Sequence, residues 1–217
     1  MKSNNHSQKR TGEPSDARAR RRKAAARPGN ALAFLRKWGL LQMQDATFPS
    51  LVALITGARV RGSWWSHPNS SEIFHTAGAL SDHLDVLTGK LVSGKVTFVH
   101  RRLWPLVIAT GRARERWQLA GLTAAARSLL ARVDDEQRVQ ATGPPARQLE
   151  MRLLVASAEV HTDSGAHALQ LMTWEAFARQ AEEPLPAISA AAAREELAAL
   201  VARMNVTFGC EGKLPWA

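Results

Sequence analysis

The chain has almost no cysteine and no long apolar stretch. Its 217 residues include one cysteine, Cys210, which excludes a disulfide framework and a zinc site built from several thiolates. The longest apolar runs, such as Leu51 to Ile55 and Leu103 to Ala109, are far shorter than the roughly 20 residues of a membrane-spanning helix. No apolar segment follows Lys2 as it would in a secretory signal peptide. We therefore expect a cytoplasmic protein with no membrane partner.

Acidic residues are scarce beside basic ones. The chain has 29 Lys and Arg against 19 Asp and Glu, a net charge of +10. Residues 1–28 carry a net charge of +7 and residues 29–133 carry +8, whereas residues 134–217 carry −5. This contrast predicts that one side of the molecule binds a polyanion, with DNA as the expected partner. A solvated Arg-rich leader and a codon bias toward Arg would give a similar composition.

The apolar pattern predicts a mainly helical α+β protein with 45% hydrophobic residues, enough to bury a substantial core. Residues 1–28 contain almost no large apolar side chain and are expected to form a disordered basic tail. Residues 29–116 are interpreted as a winged-helix-like domain with a basic hairpin. A second, smaller winged-helix-like domain is expected over residues 117–183, followed by a C-terminal helix and tail over residues 184–217.

The order of elements favours this tandem interpretation. Helices are predicted over residues 30–39, 51–55 and 71–84. Two β-rich runs follow, Val86 to Val92 and Lys95 to His100, and the two residues Ser93-Gly94 between them are typical of a tight hairpin. Three short helices followed by a hairpin are the order of parts in a winged-helix module. Beyond them, helices are predicted over 123–133, 146–157 and 188–203, and a strand over 166–172.

Basic side chains around the first hairpin are the candidate DNA contacts. Residues 90–116 contain seven basic residues and one acid, Glu115. Phosphate contacts need hydrogen-bond donors and positive charge more than an exact geometry. A hairpin that is merely solvated would also tolerate Lys. The predicted contacts are Lys90, Lys95, His100, Arg101 and Arg102.

The sequence Gly62-Ser63-Trp64-Trp65-Ser66-His67-Pro68 is the densest aromatic signal. Two adjacent Trp residues cannot face the same side of a strand, and in a helix they diverge by about 100°. One ring is therefore expected to stay accessible, and Trp65 and His67 are candidate contacts to an unpaired base. The alternative is that both rings pack between the second and third helices.

A polar stretch from Glu159 to His167 forms a third candidate region. Glu159, His161 and Asp163 alternate along an extended segment, and His167 follows the turn. This pattern would suit a metal site, but it lacks any standard ligand spacing. We prefer a polar hairpin in which His161 and His167 hydrogen-bond the turn or meet phosphate, and we expect neither a metal nor a cofactor.

The sequence Gln42-Met43-Gln44-Asp45 is the candidate catalytic element. Gln42 and Gln44 face the same side if the backbone is extended. A pair of amides can hold a water or the edge of a base, and the Asp45 carboxylate could accept a proton. An ordinary polar loop between helices would look the same.

These motifs resemble the AlkZ-related winged-helix DNA glycosylase group. The likeness covers about residues 30–180 and rests on five segments, Gln42-Met43-Gln44-Asp45, Pro49-Ser50-Leu51, Gly89-Lys90-Leu91-Val92, Lys95-Val96-Thr97-Phe98-Val99, and Glu159 to His167. The resemblance implies tandem winged-helix units and excision of alkylated or crosslinked bases, with Gln42 and Gln44 handling the catalytic water. The alternatives are a non-catalytic DNA-binding, regulatory or scaffolding protein, and a module whose acidic half binds a basic partner.

Overall fold

The computed structural model describes residues 28–161 and 167–217. The predicted basic tail, except for Pro28, lies outside these residues, and so do Asp163 and Ser164 in the predicted second turn. Over the described ranges the chain is α+β and mainly helical, with two three-stranded antiparallel sheets. The coarse fold prediction is therefore confirmed.

The first unit runs from residue 28 to residue 100. Its elements are α1 (Pro28–Trp38), β1 (Leu40–Gln42), α2 (Leu51–Thr56), α3 (Ser70–Ser81), β2 (Val86–Val92) and β3 (Lys95–His100). The sheet order is β1-β3-β2, with β3 paired antiparallel to both neighbours. A short 3-10 helix, Trp64–Ser66, lies between α2 and α3.

The boundaries of the first unit follow from local residue chemistry. Gly39, with φ +87°, ends α1, because this left-handed conformation favours glycine. Ser50 caps α2 by accepting a hydrogen bond from Ala53 N. The hairpin has the predicted bounds, and Ser93 and Gly94 at its tip have φ of 52° and 65°, as a two-residue turn with two positive φ angles requires.

The second unit runs from residue 124 to residue 172. Its elements are α6 (Ala124–Glu136), β4 (Arg138–Ala141), α7 (Gly143–Met151), β5 (Ala156–His161) and β6 (His167–Met172). The sheet order is β4-β6-β5. Two helices, α4 (Trp104–Arg112) and α5 (Arg116–Leu119), connect the units, and α8 (Trp174–Gln180) and α9 (Ala190–Phe208) follow them.

Several predicted helices differ in extent from those of the structure; the one predicted over 188–203, for example, continues to Phe208. The helix predicted over 146–157 ends at Met151, and Ala156 already belongs to β5. Leu153 adopts φ 51° between them, a conformation that a helix cannot contain. The helix predicted over 71–84 ends at Ser81, and Val86 N hydrogen-bonds His83 O at the turn into β2.

The hydrophobic core is continuous from one unit to the other. Its largest cluster includes Leu91 and Trp104 of the first half together with Met172, Trp174 and Leu197. Smaller clusters fill the interior of each unit. Within residues 28–161 and 167–217, no helix combines the length and apolar character needed to cross a bilayer.

Candidate functional site

The two glutamines of the candidate catalytic element lie in different environments. Gln42 is the last residue of β1 and is completely buried. Its Nε2 donates a hydrogen bond to the Val92 carbonyl at 2.8 Å, and its buried Oε1 has no partner among the described residues. Gln44 lies beyond the strand, and its Nε2 donates to the carbonyls of Gly62 and Val60 at 2.7 and 3.3 Å. The structure therefore does not bring the two amides to one surface.

Gln44 lines an open cleft of about 760 Å³, which we call the basic cleft. The other lining residues are Asp45, Ala46, Arg59, Val60, Arg61, Gly62 and Lys95. Three of these side chains are cations and one is an acid. The walls come from the loop after β1, the loop after α2 and the first residue of β3. Local folding thus concentrates positive charge in a concave site.

Lys95 and Asp45 form an ion pair across the basic cleft. Lys95 Nζ lies 2.5 Å from Asp45 Oδ2, and the backbone N–H groups of Thr47 and Phe48 each donate to Asp45 Oδ1 at 2.7 Å. Burial raises the pKa of Asp45, but these hydrogen bonds and the Lys95 charge outweigh it and lower the pKa below its ordinary value. Asp45 is therefore an anion at neutral pH, and Lys95 is partly neutralised.

Arg59 and Arg61 supply the remaining positive charge and are exposed. Arg59 Nη2 donates to the Thr47 carbonyl at 3.3 Å, which ties the α2 loop to the β1 loop. We did not predict either arginine as a contact from the sequence. The signal was present, because only Ser63 separates Arg59-Val60-Arg61-Gly62 from the two Trp residues.

The hairpin tip is occupied by other parts of the protein. Ser93 N donates to the Lys213 carbonyl at 2.6 Å, and Lys213 N donates to Ser93 Oγ at 3.2 Å. A Cβ at Gly94 would lie 3.0 Å from Met151 Cε. Lys90, farther along β2, lies 3.6 Å from the buried carboxylate of Glu150. The tip and Lys90 thus face the second unit and the C-terminal segment.

Arg101 and Arg102 also make internal contacts. Arg101 Nε donates to Glu183 Oε2 at 2.9 Å and its Nη2 donates to the Ala181 carbonyl at 3.1 Å. The same guanidinium lies 5.3 Å from the centre of the Trp104 ring. Arg102 is exposed but donates from Nη2 to the Lys37 carbonyl at 3.0 Å, at the end of α1. These contacts hold the ends of helices in place.

Two of the predicted histidines take part in local turns. His100 Nδ1 accepts a hydrogen bond from Arg102 N at 3.3 Å, and His67 Nδ1 accepts one from Asn69 N at 3.1 Å. Burial lowers the pKa of His100, against the opposing charge of Asp85. His100 is therefore neutral at pH 7 and adds no positive charge to the surface.

Trp65 is more accessible than His67 and His100, the other predicted contacts with an aromatic ring whose side chains the structure describes. It is 63% exposed and stacks on Trp64, with ring centres 4.1 Å apart and planes at 24°. Trp64 in turn packs against the core of the first unit. The expectation that one of the two rings stays accessible is confirmed.

His161 and His167 pair with each other in register at the end of the β5–β6 ladder where β5 ends and β6 begins. Their side chains, and that of Glu159, lie outside the described part of the structure, so their predicted role stays a prediction. Among the residues that are described, no three His, Cys, Asp or Glu side chains come together to hold a metal ion.

Comparisons of the chain with protein-family models, curated proteins and solved structures gave no match.

Proposed function

We propose that this chain is a winged-helix DNA-binding protein that contacts the phosphate backbone at the basic cleft. The observation that carries the proposal is the convergence of Arg59, Arg61 and Lys95 on one open cleft. Clustered cations bind phosphates because they release condensed counterions and donate hydrogen bonds to phosphate oxygens.

The connectivity of the first unit supports the winged-helix assignment. The order α1-β1-α2-α3-β2-β3, with sheet order β1-β3-β2, is the order of a winged-helix module. The second unit has the same sheet pattern, but only α7 lies between β4 and β5. We propose that it is a shortened version that lacks one helix.

The proposal moves the DNA contact away from the hairpin. Lys90 and Arg101 are ion-paired with Glu150 and Glu183, so contacting phosphate would require breaking these internal pairs. Arg59 and Arg61 have exposed side chains in the cleft, and the contact of Arg59 with Thr47 is a 3.3 Å hydrogen bond to a backbone carbonyl and not an ion pair. Lys95 also forms an ion pair, with Asp45, but its side chain is 49% exposed and lines the cleft, so it is the predicted hairpin contact that stays in the proposed interface.

The double variant Arg59→Ala/Arg61→Ala tests the proposal. DNA affinity should fall, and the slope of log affinity against log salt should decrease by about 1.5, since each phosphate contact contributes roughly 0.7 to 0.9. Arg132→Ala/Arg147→Ala is the matched control, because it removes the same charge from exposed positions on α6 and α7. Equal losses in the two double variants would mean that binding follows net charge and not the cleft.

A DNA glycosylase activity is the second candidate function. Gln44 and Asp45 line the same cleft, and together they could hold and polarise a water. Departure of a cationic alkylated base gives an oxocarbenium-like state and needs little help from a general acid. Because Gln42 is buried, we assign the catalytic water to Gln44 and Asp45. Gln42 then has a structural role at the end of β1.

The activity can be tested on duplex DNA that carries N7- or N3-alkylpurines or an interstrand crosslink. Alkali-labile strand cleavage should appear with the wild type and fall at least ten-fold in Gln44→Ala. Cleavage no greater with the wild type than without protein would rule out the enzyme and leave the binding proposal standing.

A further inference from the structure

The exposed face of α3 carries no Lys or Arg and includes an exposed aromatic ring, Phe74. The helix contains no Lys or Arg, and its one acid, Glu72, accepts a hydrogen bond from Asn69 Nδ2 at 3.2 Å. Its exposed residues are Ser71, Phe74, His75, Gly78, Ala79 and Ser81. The bidentate contacts that distinguish bases in duplex DNA come mainly from Arg, Lys, Asn or Gln, and many phosphate contacts come from Arg and Lys. The exposed face of α3 offers none of these side chains.

Aromatic rings form the most prominent feature of this surface. Phe74 is 50% exposed, and its ring centre lies 5.8 Å from that of Trp65. His75 adds a third ring 5.7 Å from Phe74. We call Trp65, Phe74 and His75 the aromatic platform. Exposed neighbouring rings of this kind suit flat ligands, since nucleobases stack on aromatic side chains irrespective of base identity.

The platform is held rigidly. Trp65 stacks on Trp64, and Trp64 packs against the buried core. Ser63 Oγ accepts a hydrogen bond from Trp65 N at 3.3 Å, and Ser66 Oγ donates to the Ser63 carbonyl at 3.1 Å. A ring fixed in this way loses little conformational freedom when a ligand stacks on it.

The platform continues from the basic cleft along the chain. Gly62 lines the cleft, and Trp65 follows three residues later. Three residues of chain span at most about 11 Å, so the cleft at Gly62 lies within that reach of Trp65. Cations and exposed rings are the combination that single-stranded nucleic acids need for phosphates and unpaired bases respectively. A purely apolar protein partner would not account for the adjacent positive charge of Arg59 and Arg61.

We propose that the ligand of this surface is single-stranded DNA, with phosphates in the basic cleft and unpaired bases stacked on Trp65 and Phe74. This inference rests on the proposed DNA-binding function and specifies its substrate. It predicts a preference for single strands over duplex of equal length, with little dependence on base sequence.

Fluorescence anisotropy with a labelled oligothymidine and a duplex of the same length tests the proposal. Wild-type protein should bind the single strand more tightly. Trp65→Ala should weaken single-strand binding about ten-fold, as expected for the loss of one stacked base, and should change duplex binding little. Trp65→Phe should retain most of the affinity because it keeps a ring. Leu84→Ala is the matched control, since Leu84 is an exposed apolar residue outside the platform.

The outcomes separate this inference from the function on which it rests. If Arg59→Ala/Arg61→Ala weakens binding but Trp65→Ala and Phe74→Ala do not, the cleft binds phosphate and the platform inference is overturned. If the arginine variant binds as the wild type does, the proposed function fails. If Trp65→Ala instead converts a dimer to a monomer on size-exclusion chromatography and leaves oligonucleotide binding unchanged, the platform is a protein interface. Thermal melting of each variant checks that it is folded.

Discussion

Gln42 and Gln44 differ by two positions and have different structural roles. Gln42 is the last residue of β1, and the preceding Leu41 and its β3 partner Phe98 are also buried. The Gln42 amide donates a hydrogen bond to the Val92 carbonyl near the hairpin tip. Gln44 lies past the strand end, where its amide joins the loop of Val60 and Gly62. The spacing in the sequence predicted a shared face, but the strand ends between them, so the alternation does not continue.

Gln42→Ala should destabilise the protein by about 1–3 kcal/mol, because it leaves the buried Val92 carbonyl without its donor. Gln44→Ala should cost less than about 1 kcal/mol, since its hydrogen bonds lie in a partly exposed loop. Urea unfolding monitored by circular dichroism measures both values. Equal costs would show that Gln42 is not the structural member of the pair.

Lys95→Met should raise the pKa of Asp45. Burial opposes ionisation of this carboxyl, and the Lys95 hydrogen bond and charge are among the contributions that overcome it. In the wild type the folded pKa lies below the ordinary value of 3.8, so Asp45 stabilises the fold above about pH 4 and this contribution is lost as the pH falls through the folded pKa. In the variant the loss should begin at a higher pH.

Carboxyl NMR titration measures the pKa of Asp45 in Lys95→Met, and urea unfolding between pH 2 and 6 measures the pH dependence of its stability. Arg132→Met is the control, because Arg132 pairs with Glu136 at the surface of α6 and should leave the titration of Asp45 unchanged. An unaltered Asp45 titration in Lys95→Met would contradict the ion pair.

For the secondary-structure elements, the sequence predicts the bounds best where neighbouring residues in the chain determine the backbone conformation. The hairpin was located to the residue because Ser93-Gly94 supplies the turn that two β-rich runs need. β1 and β4, with three and four residues, were missed because they are strands only through pairing with β3 and β6. The helix predicted over 146–157 was too long, because the residues from Ala156 onward pair with β6 although their apolar spacing is that of a helix.

Gly111→Ala should destabilise the protein by about 1–3 kcal/mol. A Cβ at this position of α4 would overlap the indole of Trp174, which is buried and donates from Nε1 to the Leu153 carbonyl at 2.8 Å. Alanine is otherwise the better helix former by about 1 kcal/mol, but here the overlap dominates. Thermal unfolding measures the loss.

Gly78→Ala on α3 is the matched control with the opposite sign. A Cβ at Gly78 meets no atom within 4 Å, so the variant should gain about 0.5–1 kcal/mol from helix propensity. If both glycine variants were stabilised, α4 would not pack as closely on Trp174 as the structure shows.

At the scale of the whole molecule, the basic cleft depends on contacts that the sequence does not reveal. Lys95 and Asp45 are 50 positions apart, and the pair forms only after β3 pairs with β1. The charge distribution predicted a basic first half but not which cations stay accessible. Lys90 and Arg101 are held in internal ion pairs with Glu150 and Glu183, whereas the side chains of Arg59 and Arg61 are exposed.

The C-terminal segment, residues 209–217, links distant parts of the molecule. Leu214 is buried in the largest core cluster, Trp216 packs on Trp117, and Lys213 hydrogen-bonds the hairpin tip through its backbone. Because this segment contacts the largest core cluster, Trp117 and the hairpin tip, a change at the buried Leu214 should affect the stability of the whole protein and not only that of the segment.

Leu214→Ala should therefore lower the free energy of unfolding by about 2–5 kcal/mol, as expected for a buried leucine. Because the core is continuous between the units, the whole unfolding transition should move as one, with tryptophan fluorescence and circular dichroism reporting the same midpoint. Lys213→Ala is the control in the same segment: its contacts with Ser93 use the backbone N–H and carbonyl, so the midpoint should hardly change. Two separate transitions in Leu214→Ala would show that the units fold independently and that the segment stabilises one of them alone.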